Sequence, residues 1–234
     1  MAFGMRIGLI ADVHGNDAAL KAVLGALQER VELILFMGDL VGYYPFVDEC
    51  VSQWDGSRML GVLGNHDWIL LDCIAHGGFP SESYCAKYGS ALTRSLSRLS
   101  AEACSLVESW PHQRCLELEG TSVAMFHGAP WDPLEGRVYP DFEDWARFSS
   151  RSEEVILLGH THYPMVKKWD RKIIINPGSV GQPRLSSGAA EFATLELPQR
   201  RVELQRVQYD PSAVIRDARC HDPELGYLVE VLTR

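Results

Sequence analysis

Apolar and polar positions along the first 65 residues predict a regular series of strands and helices. Short apolar runs at 6–11, 33–37 and 57–63 are typical of buried strands, and segments with helical spacing at 17–30 and 45–54 separate them. Strands that alternate with helices in this way predict a largely parallel sheet with helices on its faces. The chain is therefore predicted to be an α/β protein.

The pattern changes twice further along the chain. Residues 66–110 have helical spacing and contain one long segment at 81–99, after which Ser100 is placed to cap the next helix. Two apolar runs then flank Glu119 and Gly120, which indicates a hairpin. Further strands are predicted at 155–160, 165–170, 172–176, 190–197 and 201–209, and terminal helices at 211–218 and 223–232. We interpret the change near residue 112 as the junction between two halves of one sandwich, within a single domain spanning 1–234.

Polar side chains follow five of the predicted strands at the point where each strand ends. Sites in open α/β sheets lie at the carboxyl ends of strands, so these side chains are expected to meet at one edge. Five of the eight histidines stand there, and a glycine accompanies each group. The period of two in an extended chain also predicts that the paired histidines near residue 160 point to the same side. The residues concerned are Asp12, His14, Asp39, Asn65, His66, Asp67, His127, His160 and His162.

Seven of these side chains are suited to bind metal ions: Asp12, His14, Asp39, Asn65, His127, His160 and His162. Seven ligands are too many for one ion, whereas two ions that share one carboxylate would each receive four and keep positions for water and substrate. Ions ~3.5–4 Å apart are a common arrangement for phosphoryl chemistry. Nitrogen and oxygen ligands without thiolate suit Mn, Fe, Co, Ni or Zn better than Ca. Any one of these residues alone would be read as a helix cap or an ordinary histidine, but histidine at three separate strand ends favours a metal centre.

Charge and composition narrow the range of partners. A net charge of −9 in 234 residues argues against a broad surface for nucleic acid or for an anionic membrane. No apolar run approaches the length of a membrane span, and residues 1–15 lack the features of a secretion signal, so a cytoplasmic location is expected. The six scattered cysteines form no CxxC pair and are expected to be reduced. Nothing in the pattern indicates an oligomeric state.

The order of the polar groups resembles the calcineurin-like metallophosphoesterase superfamily. The motifs that carry the resemblance are D-x-H at 12–14, G-D at 38–39, G-N-H-D at 64–67, H-G at 127–128 and G-H-x-H at 159–162. The segments "GDLVGYYP" and "NPGSVGQPR" resemble the small bacterial branch related to YfcE-type phosphodiesterases and diadenosine-polyphosphate hydrolases.

The resemblance implies a four-layer αββα sandwich of two mixed β-sheets flanked by helices. It also implies two divalent metal ions, with Mn expected first and Fe, Ni, Co or Zn as alternatives. The first ion is assigned to Asp12, His14 and His162, the second to Asn65, His127 and His160, and Asp39 bridges the two. His66 would be a catalytic residue beside the ions, and Asp67 would orient its ring.

The function expected from this resemblance is hydrolysis of a phosphodiester or a nucleotide (poly)phosphate, by attack of a hydroxide that bridges the metals. A small phosphate ester is the expected partner, and Arg184 is a candidate for binding a non-reacting phosphate, or else a surface ion-pair residue. Two alternatives remain: a Ser/Thr phosphoprotein phosphatase, and a non-catalytic scaffold on the same fold. The short insertions favour a small substrate over a peptide. The full set of ligands disfavours the scaffold.

Overall fold

The computed structural model describes residues 4–185 and 188–233. Its strands are β1 (Arg6–Ile10), β2 (Leu33–Phe36), β3 (Met59–Gly61), β4 (Gln113–Leu118), β5 (Thr121–Phe126), β6 (Val155–Leu157), β7 (Met165–Trp169), β8 (Lys172–Asn176), β9 (Ala189–Glu196) and β10 (Arg201–Gln208). Its helices are α1 (Asp17–Leu27), α2 (Val47–Val51), α3 (Asn65–His76), α4 (Glu82–Tyr88), α5 (Ala91–Leu96), α6 (Ala101–Glu108), α7 (Ser212–His221) and α8 (Tyr227–Thr233), with a 3₁₀ helix at Trp145–Ser150.

These strands form two mixed sheets, and both have five strands within the described ranges. The orders are β10-β9-β1-β2-β3 and β4-β5-β6-β8-β7. The first sheet pairs β1, β2 and β3 in parallel, as the alternating pattern predicts. The sheets face each other across an apolar layer, and helices cover their outer faces, so the predicted αββα sandwich is confirmed. The layer between the sheets includes Ile7, Leu9, Leu35, Met125, Leu157 and Ile175.

The division of the sandwich near residue 112 is wrong. Strands β9 and β10 lie late in the chain but belong to the first sheet, where β9 pairs antiparallel with β1. Without β9, the β1 edge would expose unpaired backbone groups. All of β9 except its last residue is buried, whereas β10 alternates between exposed and partly buried positions, as expected of the edge strand outside it.

Local signals for turns and caps have the predicted effects, with one exception. Glu119 and Gly120 adopt left-handed backbone angles between β4 and β5, and the Ser100 hydroxyl accepts a hydrogen bond from the amide of Ala103. The exception is the long helix predicted at 81–99, which breaks at Gly89 into α4 and α5 because Gly89 has a φ of 86°. Within the described residues, no helix combines the length and hydropathy needed to cross a membrane.

Candidate metal centre

The nine polar residues predicted at strand ends converge on one edge of the sandwich. Asp12, His14 and His162 place one ligand atom each within 4.8 Å of one another, and Asp39, His127 and His160 form a second such group. Asn65 lies in the second group, since its side-chain oxygen is 3.0 Å from His127 Nε2 and 3.0 Å from His160 Nδ1. The structure therefore brings together all seven predicted ligands.

Five of these seven ligands have a left-handed backbone. The φ angles are 55° at Asp12, 52° at His14, 61° at Asp39, 63° at His160 and 60° at His162. This conformation costs roughly 1–2 kcal/mol per non-glycine residue, and it is typical of functional sites. At each of these residues, the backbone turns sharply as it leaves the preceding strand.

The left-handed turns replace the extended backbone assumed for His160 and His162, although both side chains line the same cavity. The prediction that they point to the same side assumes an extended chain, whereas both residues have positive φ angles. As a result, His160 joins the second group of ligand atoms and His162 joins the first.

Backbone carbonyls fix the orientation of the imidazole rings in the first group. His14 Nδ1 lies 2.9 Å from the carbonyl oxygen of Val41, and His162 Nδ1 lies 2.8 Å from that of Gln182. Each Nδ1 therefore carries a hydrogen, and each Nε2 presents a lone pair. The two Nε2 atoms are only 3.1 Å apart, an arrangement that a shared cation would stabilise.

Asp39 lies between the two groups. Its Oδ2 is 3.2 Å from His127 Nε2 and 3.9 Å from His14 Nε2, so a single carboxylate faces ligands of both groups. Burial opposes its ionisation, but electrostatic attraction to His127, His66 and His14, together with the hydrogen bond from His127, outweighs burial and holds the pKa of Asp39 well below its usual range. Burial likewise lowers the pKa of His127, but the Asp39 carboxylate raises it to about 9. A cation at His127 Nε2 would take the place of this proton.

The first turn of α3 contacts the Asp39 carboxylate and stabilises its negative charge. The amide of His66 donates a hydrogen bond of 2.8 Å to Asp39 Oδ1 at the N-terminus of the helix, where negative charge is stabilised. A Cβ atom on Gly64 would lie 2.0 Å from this oxygen, so only glycine permits the approach. The start of α3 also places both Asn65 and His66 at the site. In an extended strand, these neighbouring side chains would point to opposite faces.

The donor set fits divalent metal ions. Among the described residues, Asp12 Oδ2 is a buried oxygen without a hydrogen-bond partner, which is costly unless a cation neutralises it. Burial lowers the pKa of His14 to about 3 and that of His160 to about 3, so both rings are neutral and able to bind metal near pH 7. Imidazole, carboxylate and amide ligands suit first-row transition metals.

Removal of metal is expected to destabilise the fold. An ion at 100 times its Kd adds ~2.7 kcal/mol, and a chain of this size changes its Tm by roughly 2–4 °C per kcal/mol. Chelation of both ions should therefore lower the Tm by roughly 10 °C or more in differential scanning calorimetry. A His14→Ala/His127→Ala double variant should show no such response, and an unchanged Tm in the wild type would contradict a preformed site.

Asp67 does not orient His66, and this part of the expected site is wrong. Its buried carboxylate accepts hydrogen bonds from four backbone amides, which belong to Asp39, Leu40, Val41 and Gly64. The ring of His66 instead has Tyr84 as its partner, with Nδ1 2.5 Å from the hydroxyl. Adjacent residues on a helix point in different directions, which explains why Asp67 cannot reach the neighbouring ring. Asp67 holds the loop that carries Asp39.

Asp67→Asn should therefore reduce both stability and metal binding. The amide group would face two backbone N–H groups with its own hydrogens, and each unsatisfied buried donor costs ~1–3 kcal/mol. We expect a loss of roughly 2–4 kcal/mol in urea unfolding and a lower metal content by mass spectrometry. Asp72→Asn, on the exposed side of the same helix, is the matched control and should change neither. Normal stability and metal content with a reduced kcat would restore the original role of Asp67.

A cavity of about 280 Å³ opens over the two groups of ligand atoms. His66 and the predicted Arg184 line it, together with two cationic residues that the sequence patterns did not indicate, Lys87 and Arg137. Arg137 Nε lies 3.1 Å from His160 Nε2. Neither residue follows a predicted strand or belongs to a recognisable motif, so no local signal marks it. Tyrosines complete the wall, among them Tyr43, Tyr88, Tyr139 and Tyr163.

Comparison with known proteins agrees with this geometry. The model of the "Calcineurin-like phosphoesterase superfamily domain" matches residues 5–200. An uncharacterized protein of Methanocaldococcus jannaschii is 31% identical over 222 residues, which cover 87% of this chain and 88% of that protein.

Solved structures give the same result. A metallophosphoesterase from Sphaerobacter thermophilus is 30% identical, with a TM-score of 0.77 and coverage of 98% of both chains. A hypothetical protein from Pyrococcus horikoshii is 20% identical, with a TM-score of 0.84 and the same coverage, and shares the fold. The resemblance that the motifs indicate is confirmed.

Proposed function

Since the chain belongs to the calcineurin-like phosphoesterase superfamily and is therefore a metal-dependent phosphoester hydrolase, we propose that it cleaves a small phosphodiester or nucleotide polyphosphate at two metal ions. The observation that carries this proposal is the position of Asp39 between two groups of ligand atoms. Asp12, His14 and His162 would hold one ion, Asn65, His127 and His160 the other, and Asp39 both. When bound, two such ions supply positive charge for phosphoryl oxygens and lower the pKa of water towards neutrality.

The cations on the cavity wall support a substrate with several negative charges. Lys87, Arg137 and Arg184 come from three separate segments and face the same space. In a protein of net charge −9, this cluster makes the cavity a local site for anions. If His160 Nδ1 bound a metal ion, the ring hydrogen would lie on Nε2, which could then no longer accept the hydrogen bond from Arg137. The Arg137 guanidinium would be free to donate to a phosphate oxygen instead. Arginine is well suited to this role because it can donate two parallel hydrogen bonds.

An apolar shelf beside the metal cavity supports an organic group on the substrate. Tyr139 and Tyr163 line the metal cavity and also a neighbouring space of about 520 Å³, which Pro140, Leu185 and one acidic residue, Asp141, complete. A planar group attached to the phosphate could pack against the tyrosine rings. The small volume of the cavity over the ligands disfavours a folded phosphoprotein as the substrate. The presence of seven candidate ligands and three cations around one cavity disfavours a non-catalytic scaffold.

A panel of substrates tests the proposal. The protein would be stripped with a chelator, reloaded with Mn²⁺, and assayed with bis-p-nitrophenyl phosphate, p-nitrophenyl phosphate, dinucleoside polyphosphates and a phosphopeptide. We expect metal-dependent turnover with the highest kcat/KM on a diester or a nucleotide polyphosphate. Preference for the phosphopeptide would favour a protein phosphatase, and absence of turnover with every metal would favour the scaffold.

Variants of the arginines in the cavity wall test whether they bind a second phosphate. Arg137→Gln and Arg184→Gln should raise KM about tenfold or more for a nucleotide polyphosphate, the usual worth of a hydrogen bond to a charged group. Their effect on p-nitrophenyl phosphate should be smaller, because it has no second phosphate. Arg200→Gln, at a surface site beside Glu154, is the matched control.

A further inference from the structure

The hydroxyl of Tyr84 is the hydrogen-bond partner of the His66 ring. Tyr84 is on α4, 18 residues from His66 along the chain, and its oxygen lies 2.5 Å from His66 Nδ1. Both side chains are buried, and their rings meet edge to face at 5.3 Å. Among the residues that the structure describes, the hydroxyl has no second hydrogen-bond partner.

This isolation determines which nitrogen of a neutral His66 carries the hydrogen. If Nδ1 donated to the phenol oxygen, the phenol hydrogen would be buried without an acceptor, a loss that lowers the population of that arrangement roughly tenfold or more. If the phenol donates to Nδ1, the hydroxyl is satisfied and the ring hydrogen moves to Nε2. Burial raises the pKa of Tyr84 well above its usual value, so the phenol keeps its hydrogen near neutral pH.

We propose that Tyr84 is a positioning residue that keeps a hydrogen on His66 Nε2, directed into the cavity at the substrate. A protonated ring carries that hydrogen in any case, so Nε2 presents a hydrogen in both states of the ring and the inference does not depend on its titration. The inference rests on the proposed function only for the identity of the acceptor, an oxygen of the phosphoester.

Packing explains why α4 can perform this role. Gly89 ends the helix with a left-handed turn, and the next amide, that of Ser90, donates to the carboxylate of Asp222 at 2.7 Å. Ser81 caps the other end by accepting a hydrogen bond from the amide of Tyr84. The helix is thereby held at both ends, and the hydroxyl meets a fixed ring.

Nitrogen-15 NMR of the histidines tests the tautomer without any assay of activity. Protein labelled at both ring nitrogens and loaded with diamagnetic Zn²⁺ should show His66 with its hydrogen on Nε2, assigned by loss of the signal in His66→Gln. Tyr84→Phe should shift the ring towards the Nδ1–H form. Tyr44→Phe is the matched control, because it removes a buried hydroxyl that donates to the carbonyl of Leu228 and does not touch His66. A wild-type ring with its hydrogen on Nδ1 would overturn the inference, and this holds even if Tyr84→Phe fails to fold.

Kinetics supply the second measurement. Tyr84→Phe should lower kcat about twofold with KM unchanged, since loss of a roughly tenfold preference leaves about half of the neutral rings with the hydrogen on Nε2 and alters no substrate contact. In a His66→Ala background the same change should have no further effect, because Tyr84 acts through His66. An equal loss in both backgrounds would overturn the inference. A hydrogen on Nε2 in a protein that hydrolyses no phosphoester would instead contradict the proposed function and leave the tautomer assignment standing.

Discussion

Asp39→Asn is expected to deplete both metal ions, where loss of any other ligand depletes one. The Asp39 carboxylate faces ligand nitrogens of both groups, at 3.2 Å from His127 Nε2 and 3.9 Å from His14 Nε2. Asparagine keeps the shape of the side chain but removes the negative charge that two dications would share. It also removes the charge that raises the pKa of His127. Activity should fall on the order of 10³-fold or more, because metal ions contribute several kcal/mol of charge stabilisation.

Inductively coupled plasma mass spectrometry would give the metal content per chain after reloading and desalting. His162→Ala is the matched control, since His162 belongs to the first group alone and its loss should spare the second ion. We expect a content well below one for Asp39→Asn and close to one for His162→Ala. A content near two in Asp39→Asn would contradict the bridging role.

His66→Gln should separate metal binding from chemistry. His66 contacts the site but is not among the predicted ligands, so the variant should keep both ions and most of its stability. Glutamine can donate a hydrogen bond but cannot give up a proton, so kcat should fall roughly 10²–10⁴-fold, the usual contribution of general acid catalysis. Metal content and thermal unfolding, measured on the same samples, establish that the site is intact.

A series of leaving groups identifies what His66 does. The loss of kcat should be small for p-nitrophenolate, which leaves without a proton, and large for an alkoxide, which requires one. Equal losses across the series would show that His66 stabilises the phosphoryl oxygens instead. Full activity of the variant would remove the residue from the mechanism.

The convergence of the seven candidate ligands could be predicted from the sequence because each of them has a local signature. A ligand at the end of a buried strand follows an apolar run directly, and a glycine beside it marks the sharp turn. The types of residue are dictated by coordination chemistry, and their positions by the strand ends. His127, for example, directly follows β5 and precedes Gly128, and the structure places its Nε2 3.2 Å from Asp39 Oδ2.

The residues that surround the candidate ligands could not be predicted in this way. Tyr84, Lys87 and Arg137 reach the site through the packing of α4 and a loop, and such long-range contacts leave no pattern in the neighbouring residues. Asp67 shows the opposite difficulty, because its position next to His66 suggests a contact that helix geometry excludes. The return of β9 to the first sheet is also a long-range pairing, and its apolar residues would suit either sheet.

The left-handed backbone at five ligands has a consequence for how this protein would respond to selection. Glycine adopts that conformation without steric penalty, so glycine at His14 or His160 would relieve about 1 kcal/mol of backbone strain while it deletes a candidate ligand. The changes that relieve backbone strain in the empty fold therefore coincide with those that remove the candidate metal ligands. A laboratory screen for thermal stability alone would drift towards folded, inactive descendants.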